Sequence, residues 1–310
     1  YYIDMKRAII LGSTGYIGSA VVKSLIDENI LVLAIGRRPF DEAQKILPLE
    51  SDKVSYIQIH AENIAQLVKW KKWANKNETV FFNFLWSGDQ RLTDGKIADQ
   101  LENVVLSSKA VKVSKEIGCI KYINVGTQDE ALLESCLKVD WKFGGCHTNS
   151  ICYTNSKLIS RDMSTLIAYM EKIDYIHTRF SLAVDSELLA RGYLAESLKI
   201  LKNGGEIEPV KNKQLYDLID LHDLACAYVA IGKYGKNKAN YFIGTGNPRP
   251  LAEFFSLFLD FKNSTNLTKV KTLPGESEVQ ELFDTNLLFE DTGFKTKRNF
   301  KEISKRICKP

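Results

Sequence analysis

Long apolar runs are missing from this 310-residue sequence. The one early run, Ala8-Ile9-Ile10-Leu11, is too short for a membrane span or a signal-peptide core, and it leads straight into a glycine-rich turn. The expectation is a soluble, unexported, cytoplasmic protein with no membrane partner. A surplus of one charge sign is missing too. The 42 Lys and Arg stand against 38 Asp and Glu, and both signs are scattered along the chain. That balance argues against the basic footprint of a nucleic-acid surface, while a net charge of +4 stays compatible with an anionic small molecule. The six cysteines, Cys119, Cys136, Cys146, Cys152, Cys226 and Cys308, show no CxxC spacing. Neither a zinc ribbon nor a dithiol motif is indicated, so no metal is expected and the thiols read as reduced. Internal repeats and low-complexity linkers are likewise absent, which fits one large core with a smaller appended region.

What is present is a periodic pattern. Short β-rich apolar runs at 7–11, 31–35, 54–59, 80–85 and 122–125 alternate with segments at 17–28 and 103–117 that carry apolar residues at helical spacing. A further helical stretch at 156–172 precedes a sixth strand at 174–180. Alternating βαβ units with right-handed crossovers build an α/β fold with a doubly wound parallel sheet. Beyond Val184 the pattern loosens into a helical stretch at 188–202, a Gly204-Gly205 turn, a run at 216–221, a helix at 223–231 and mixed patches from 251 to 310 ending in a basic tail. Residues 1–180 therefore read as the main domain, and 181–310 mostly as a smaller C-terminal α/β lobe, with an interleaved boundary.

Between the first strand and the first helix stands Leu11-Gly12-Ser13-Thr14-Gly15-Tyr16-Ile17-Gly18. Strand before and helix after give this glycine pattern its meaning. Gly12 permits a tight turn, Gly15 lets the backbone approach a pyrophosphate, and Gly18 lets the helix pack close to the sheet. The helix N-terminus then offers N–H groups and partial positive charge to the phosphates, with Thr14, Tyr16 and Ile17 in the same turn. The arrangement is that of a Rossmann-type dinucleotide site. An acid that would bind the ribose hydroxyls is absent at the end of the second strand, where the chain reads Ile35-Gly36-Arg37-Arg38-Pro39. Two guanidinium groups can pair with a 2′-phosphate in a bidentate manner, so NADP(H) is expected over NAD(H).

Tyr153-Thr154-Asn155-Ser156-Lys157 sets a phenol and an ammonium four positions apart, on one face of a helix. A free phenol, with a pKa of about 10, is a poor proton carrier at neutrality. A neighbouring Lys cation favours the phenolate, and Tyr153 can then exchange a proton with a hydroxyl or carbonyl while hydride moves. Lys157 also reads as a ligand of the nicotinamide ribose. Tyr-x-x-x-Lys alone arises by chance on many helices; its place after the fifth strand and directly before a long helix gives it weight. A hydroxyl beyond the fifth strand completes the set: Thr127 can hydrogen-bond a developing oxyanion.

With these elements in order, the chain over residues 6–247 resembles the extended short-chain dehydrogenase/reductases, the family of nucleotide-sugar epimerases, dehydratases and 4-keto reductases. The resemblance implies a nucleotide-diphosphate sugar as substrate, Leu85 beside the cofactor where the fourth strand ends, and substrate contacts around Ser181, Leu194 and Tyr216. It also implies a homodimer through the helices carrying Asn103 and Tyr153. Several positions depart from the family pattern. The acid that holds the adenine appears as His60-Ala61-Glu62, and the usual small residues after the fourth strand become Leu85-Trp86-Ser87-Gly88. Trp86 either walls the sugar pocket or fills core space, and Ser87 beside it is expected on the substrate side. Tyr216 stands where an arginine often binds the substrate phosphate, with Asp217 and Asp223 retained. Dehydratases follow the catalytic Thr with Asp-Glu, whereas here the chain reads Thr127-Gln128-Asp129-Glu130, which disfavours dehydration. The expectation is an NADPH-dependent reductase of a nucleotide-activated 4-keto-6-deoxy-hexose in surface-polysaccharide sugar synthesis. The alternatives are an epimerase with retained dinucleotide and a non-catalytic dinucleotide sensor.

Overall fold

A computed structural model describes residues 4–74, 77–88, 96–136, 151–208, 210, 215–263 and 282–308. Cys146, the side chain of Cys136 and the stretch 264–281 of the mixed C-terminal region lie outside the described residues. The chain begins with β1 (Arg7–Leu11), α1 (Tyr16–Asp27), β2 (Leu31–Gly36), a one-turn α2 (Phe40–Ala43), β3 (Val54–Gln58), a 3₁₀ helix (Ala61–Trp70) and β4 (Thr79–Asn83). It continues through α3 (Ile97–Ile117), β5 (Lys121–Val125), α4 (Gln128–Cys136), α5 (Ile151–Glu171), β6 (Asp174–Phe180) and β7 (Leu182–Val184). There follow α6 (Tyr193–Lys202), β8 (Leu215–Tyr216), β9 (Leu218–Asp220), α7 (Leu221–Tyr234), β10 (Asn240–Ile243), β11 (Arg249–Pro250), α8 (Leu251–Asn263), α9 (Asn286–Thr292) and α10 (Phe300–Cys308).

Seven strands form one parallel sheet in the order β10-β6-β5-β4-β1-β2-β3. β4 and β5 are buried along their whole length, as strands covered on both faces must be. On one face Val21, Val22 and Leu25 of α1 and Leu224, Tyr228 and Ile231 of α7 pack on Ile10, Val32 and Phe82. On the other, Ala110 and Val111 of α3 and Ala168 of α5 pack on Ile9, Leu33, Phe81 and Tyr122. The sheet is doubly wound, and its strand order reverses between β1 and β4, where the loops leaving the two strands part and open a crevice. A third apolar cluster, including Leu194 and Leu198 of α6, Phe254 and Phe258 of α8 and Ile303 of α10, gathers the smaller C-terminal elements with the paired short strands β7–β9 and β8–β11.

Several boundaries differ from the sequence expectation for identifiable reasons. α3 begins at Ile97, six residues before Asn103; its N-cap Lys96 makes no side-chain cap hydrogen bond, so no capping residue marks that start in the sequence. α5 begins at Ile151, so Tyr153 and Lys157 lie inside the long helix and not ahead of it. α6 starts at Tyr193, not Leu188, because Leu188 (φ 57°) and Gly192 (φ 121°) adopt left-handed backbone that no helix continues through. The run 216–221 splits at Asp217, whose buried carboxylate accepts hydrogen bonds from the Thr245 hydroxyl at 2.5 Å and the Gly246 N–H at 2.8 Å. Among the described residues no helix is long and apolar enough to cross a membrane.

Candidate active site

The glycine turn is shaped by contact distance. Gly12 leaves β1 with φ 84°, and a Cβ there would lie 2.9 Å from the carbonyl carbon of Phe84. Gly18 is held tighter still, since a Cβ would stand 2.3 Å from the Gly12 carbonyl oxygen. α1 seats on the turn only because residue 18 has no side chain. The helix starts after Gly15 with no side-chain cap and no acidic residue in its first turn, so its opening N–H groups and positive dipole end are not neutralised locally. These features fit the pyrophosphate of a dinucleotide. Tyr16 adds a tie across the cleft: its hydroxyl donates to Asp185 Oδ2 at 2.5 Å, joining the turn to the loop after β7. Burial and then the Asp185 carboxylate push that phenol well above its ordinary value.

At the end of β2, Arg37 and Arg38 are exposed. β3 fixes their backbones, with Gln58 Nε2 donating to Arg37 O at 3.3 Å and the Tyr56 hydroxyl to Arg38 O at 2.6 Å. Arg38 makes an exposed ion pair with Glu42 at 3.3 Å, of the kind worth only a few tenths of a kcal/mol and readily exchanged for a phosphate.

The first turns of α5 place Tyr153 and Lys157 on the buried side of the helix, 8% and 5% exposed. The Lys157 ammonium donates to Val125 O at 2.8 Å. It lies 3.8 Å from the Trp86 ring centroid and 5.9 Å from that of Tyr153. Trp86 meets Tyr153 edge-on, centroids 5.9 Å apart at 89°, and its indole N–H donates to Gln100 Oε1 at 2.9 Å. The neighbouring Ser87 is pinned to α3: its N–H and hydroxyl donate to Asn103 Oδ1 at 2.8 and 2.9 Å, and Asn103 Nδ2 donates back to Ser87 O.

Thr127 sits between β5 and α4. Its N–H donates at 2.8 Å to Oε1 of the fully buried Glu130, whose Oε2 lies 2.7 Å from His177 Nε2. Burial works to raise the Glu130 carboxyl, but the charge and hydrogen bond of His177, the Thr127 N–H and the Lys157 ammonium together hold it below the usual carboxylate range. Behind this pair His177 Nδ1 lies 3.4 Å from Asn124 Nδ2, Asn83 Nδ2 donates to Asn124 Oδ1 at 3.3 Å, and Leu85 N donates to Asn83 Oδ1 at 3.1 Å. A buried polar line thus runs from the Thr127 turn to the Leu85–Ser87 segment. Asp129 faces the cleft instead, and burial, then Glu130, push its carboxyl up to about 6. Tyr216 of β8 is raised by burial and then by Asp129.

The glycine turn, the arginines after β2, the Tyr153–Lys157 pair, Thr127 and Asp129 open on one cleft of about 1800 Å³. It exceeds the roughly 300–1,000 Å³ of a single-ligand site and has room for two molecules. Gly12, Thr14, Gly15, Tyr16, Ile17, Gly18, Arg37, Arg38 and Leu85 line it, as do Trp86, Ser87, Thr127, Tyr153 and Lys157. From the C-terminal elements come Ser181, the buried Leu194 of α6 and the half-buried Tyr216. His60, Ala61 and Glu62 line it as well.

Residues 8–244 match the model of the NAD dependent epimerase/dehydratase family. The chain belongs to this family. It is an NAD(P)-dependent enzyme of the epimerase or oxidoreductase kind, within the extended short-chain dehydrogenase/reductases. Solved structures of the same fold include the UDP-glucose 4-epimerase of Thermotoga maritima with UDP-glucose, at 17% identity and a TM-score of 0.73 over 97% of each chain. The Bordetella bronchiseptica enzyme WbmG in complex with NAD and UDP is 18% identical, with a TM-score of 0.72 over 97% of this chain and 93% of that one. The UDP-N-acetylglucosamine 4-epimerase of Bacillus cereus is 17% identical, with a TM-score of 0.70 over 98% and 95%. No curated protein matches the sequence.

Gln100, His177 and Asp185 hold Trp86, Glu130 and Tyr16 without lining the cleft themselves, and the sequence offers no signal for them, because each partner is brought near only by the fold. Trp86 falls between its two expected roles, lining the cleft while packing on Tyr153 and Lys157.

Proposed function

We propose that the protein is an NADPH-dependent reductase of a nucleotide-activated 4-keto-6-deoxy-hexose, acting in the cytoplasm in the synthesis of a surface-polysaccharide sugar. The observation that carries this reading is the end of β2. Gly36 is followed by two exposed arginines lining the cleft, with no acid at the position that would hold ribose hydroxyls. Arg37 and Arg38 then bind a 2′-phosphate, and the turn from Gly12 to Gly18 receives the pyrophosphate. NADPH supplies hydride when bound. The chain does the rest: Tyr153 donates a proton to the carbonyl oxygen, the Thr127 hydroxyl hydrogen-bonds that oxygen, and the Lys157 ammonium favours the phenolate left behind and holds the nicotinamide ribose. Leu85 flanks the cofactor, and Trp86, Ser87, Ser181, Leu194 and Tyr216 form the sugar-nucleotide side. Glu130 is fully buried against His177 and the Thr127 N–H, and Gln128 stands directly after Thr127, so Asp129 is the one carboxyl of this turn facing the cleft; the lack of an acid pair supports reduction over dehydration.

A nucleotide-sugar 4-epimerase that retains its dinucleotide is the second reading, favoured by the similar solved structures named for that activity. Denaturing the purified protein, identifying any released dinucleotide, and titrating NADPH and NADH into the emptied protein separates the two. A site that prefers NADPH and releases nothing supports the reductase; retained NAD puts the epimerase first. With substrate in hand, Tyr153→Phe should lower turnover at least about 100-fold while leaving NADPH affinity within a few-fold. Unchanged turnover in that variant would sink the mechanism. A homodimer across α3 and α5 is part of the proposal. Ile97, Leu101 and Val105 on α3 and Ile159, Met163, Leu166 and Met170 on α5 form exposed apolar stripes at helical spacing on two helices that pack together.

A further inference from the structure

We infer that Trp86 is a positioning residue for the Tyr153–Lys157 pair, its indole face fixing the Lys157 ammonium beside the phenol. The inference rests on the reading of that pair as the proton-transfer group. Lys157 is an ammonium with only 5% of its surface exposed, and a cation so buried needs compensation for lost water. One N–H is taken by Val125 O at 2.8 Å. The indole face, 3.8 Å from Nζ, offers the negative side of its quadrupole in a desolvated setting, where such contacts are strongest. The ring does not float: Gln100, buried on α3, holds the indole N–H at 2.9 Å, and the edge-on contact with Tyr153 sets its tilt. Trp86 thus touches both members of the pair and ties them to α3, the helix packed against α5. One face of the ring is taken by Lys157, so Trp86 acts on the pair as well as lining the cleft.

Among the described residues, Glu130 on α4 acts directly on the Lys157 ammonium, and Glu102 on α3, Asp129 on α4 and Tyr216 on β8 line the same cleft. Tyr175, His177 and Arg179 on β6 interact with Glu130, with Arg161 of α5 and Glu134 of α4 beyond them. Changing residue 86 removes the ring's contact with Lys157 and its edge-on contact with Tyr153 while leaving these charges in the chain.

The test needs no substrate. Tyrosinate absorbance is titrated in the full-length protein and in its Tyr153→Phe variant, and the difference gives the ionisation of Tyr153 alone. The same difference is taken in Trp86→Leu and Trp86→Phe backgrounds, with melting curves to show that each is folded. Loss of the ring lets the ammonium shift or discharge, so the Tyr153 ionisation is expected to move up by on the order of one pH unit in Trp86→Leu. Trp86→Phe, which keeps a π face, should recover most of that shift. If Trp86→Leu does not fold, Gln100→Leu is read in its place, since it frees the indole from α3 and should give a smaller shift in the same direction. The same Tyr153 ionisation in every background overturns the inference. Because turnover is not the readout, this failure is distinct from that of the proposed reaction, which Tyr153→Phe kinetics decide.

Discussion

Asp129 illustrates how a cleft residue is held at the expense of stability. Burial, then the neighbouring Glu130, push its carboxyl up to about 6, above the roughly 3.9 of an unfolded chain. Between those values the folded protein binds more protons than the unfolded one, so stability falls as pH rises through that window. The contribution is fully present below the unfolded value and gone above about 6. Asp129→Asn, which keeps the shape and removes the charge, should therefore stabilise the ligand-free protein by about 1–2 kcal/mol at pH 7.5 and by little near pH 4. Denaturant unfolding at the two pH values checks this, and an equal gap at both would show that charge is not the cause. A substrate that offers a hydrogen-bond donor to Asp129 would reverse the cost, which is why a group of this kind sits in a cleft and not in a core.

Among the elements, α7 has the clearest division of labour. Asp220 caps it, accepting from the N–H groups of His222 and Asp223 at 3.0 and 3.3 Å, and both acids suit the positive end of the helix. The same first turn secures the C-terminal segment. Asp223 Oδ2 accepts from the N–H groups of Lys297 and Arg298 at 2.7 and 2.8 Å, while Arg298 Nη1 reaches Asp223 and Asp220, and Arg306 reaches Asp220 at 3.1 Å. Asp223→Ala would leave two N–H groups and a guanidinium short of their acceptor and should cost about 3 kcal/mol, visible as a lower denaturation midpoint. Proteolysis of the native variant should then cut first between α9 and α10. A midpoint unchanged within about 0.5 kcal/mol would mean that water replaces the carboxylate at no cost.

The whole molecule couples its active site to its outer surface through α5. One side of this helix carries Tyr153 and Lys157 into the cleft, and the other leaves Met163, Leu166 and Met170 exposed beside Leu101 and Val105 of α3. α3 also buries Val104, Ala110 and Val111, so it is apolar on two sides, as expected of a helix covered twice. Leu101→Glu combined with Met163→Glu should convert a dimer into single chains in sedimentation equilibrium and make the melting temperature independent of protein concentration. A wild-type protein that sediments as a single chain at micromolar concentration would refute the pairing.

The amino-acid sequence alone determined the elements whose signals are local. Six of the seven sheet strands follow from apolar runs of the right length, the Gly12–Gly18 turn from glycines between a strand and a helix, and the shared face of Tyr153 and Lys157 from a four-residue spacing. These are periodicities of 2 and 3.6 residues, and they need no knowledge of what lies across the fold. The tertiary structure decided what depends on partners far apart in the chain. Tyr16 finds Asp185, Glu130 finds His177, and Trp86 finds Lys157 and Gln100, each through contacts that leave no local pattern. The short strands β7 and β11 belong to the same class, since two or three residues carry too little propensity to declare themselves until a neighbouring backbone offers its hydrogen bonds, and so does the division of the legible run 216–221 into β8 and β9.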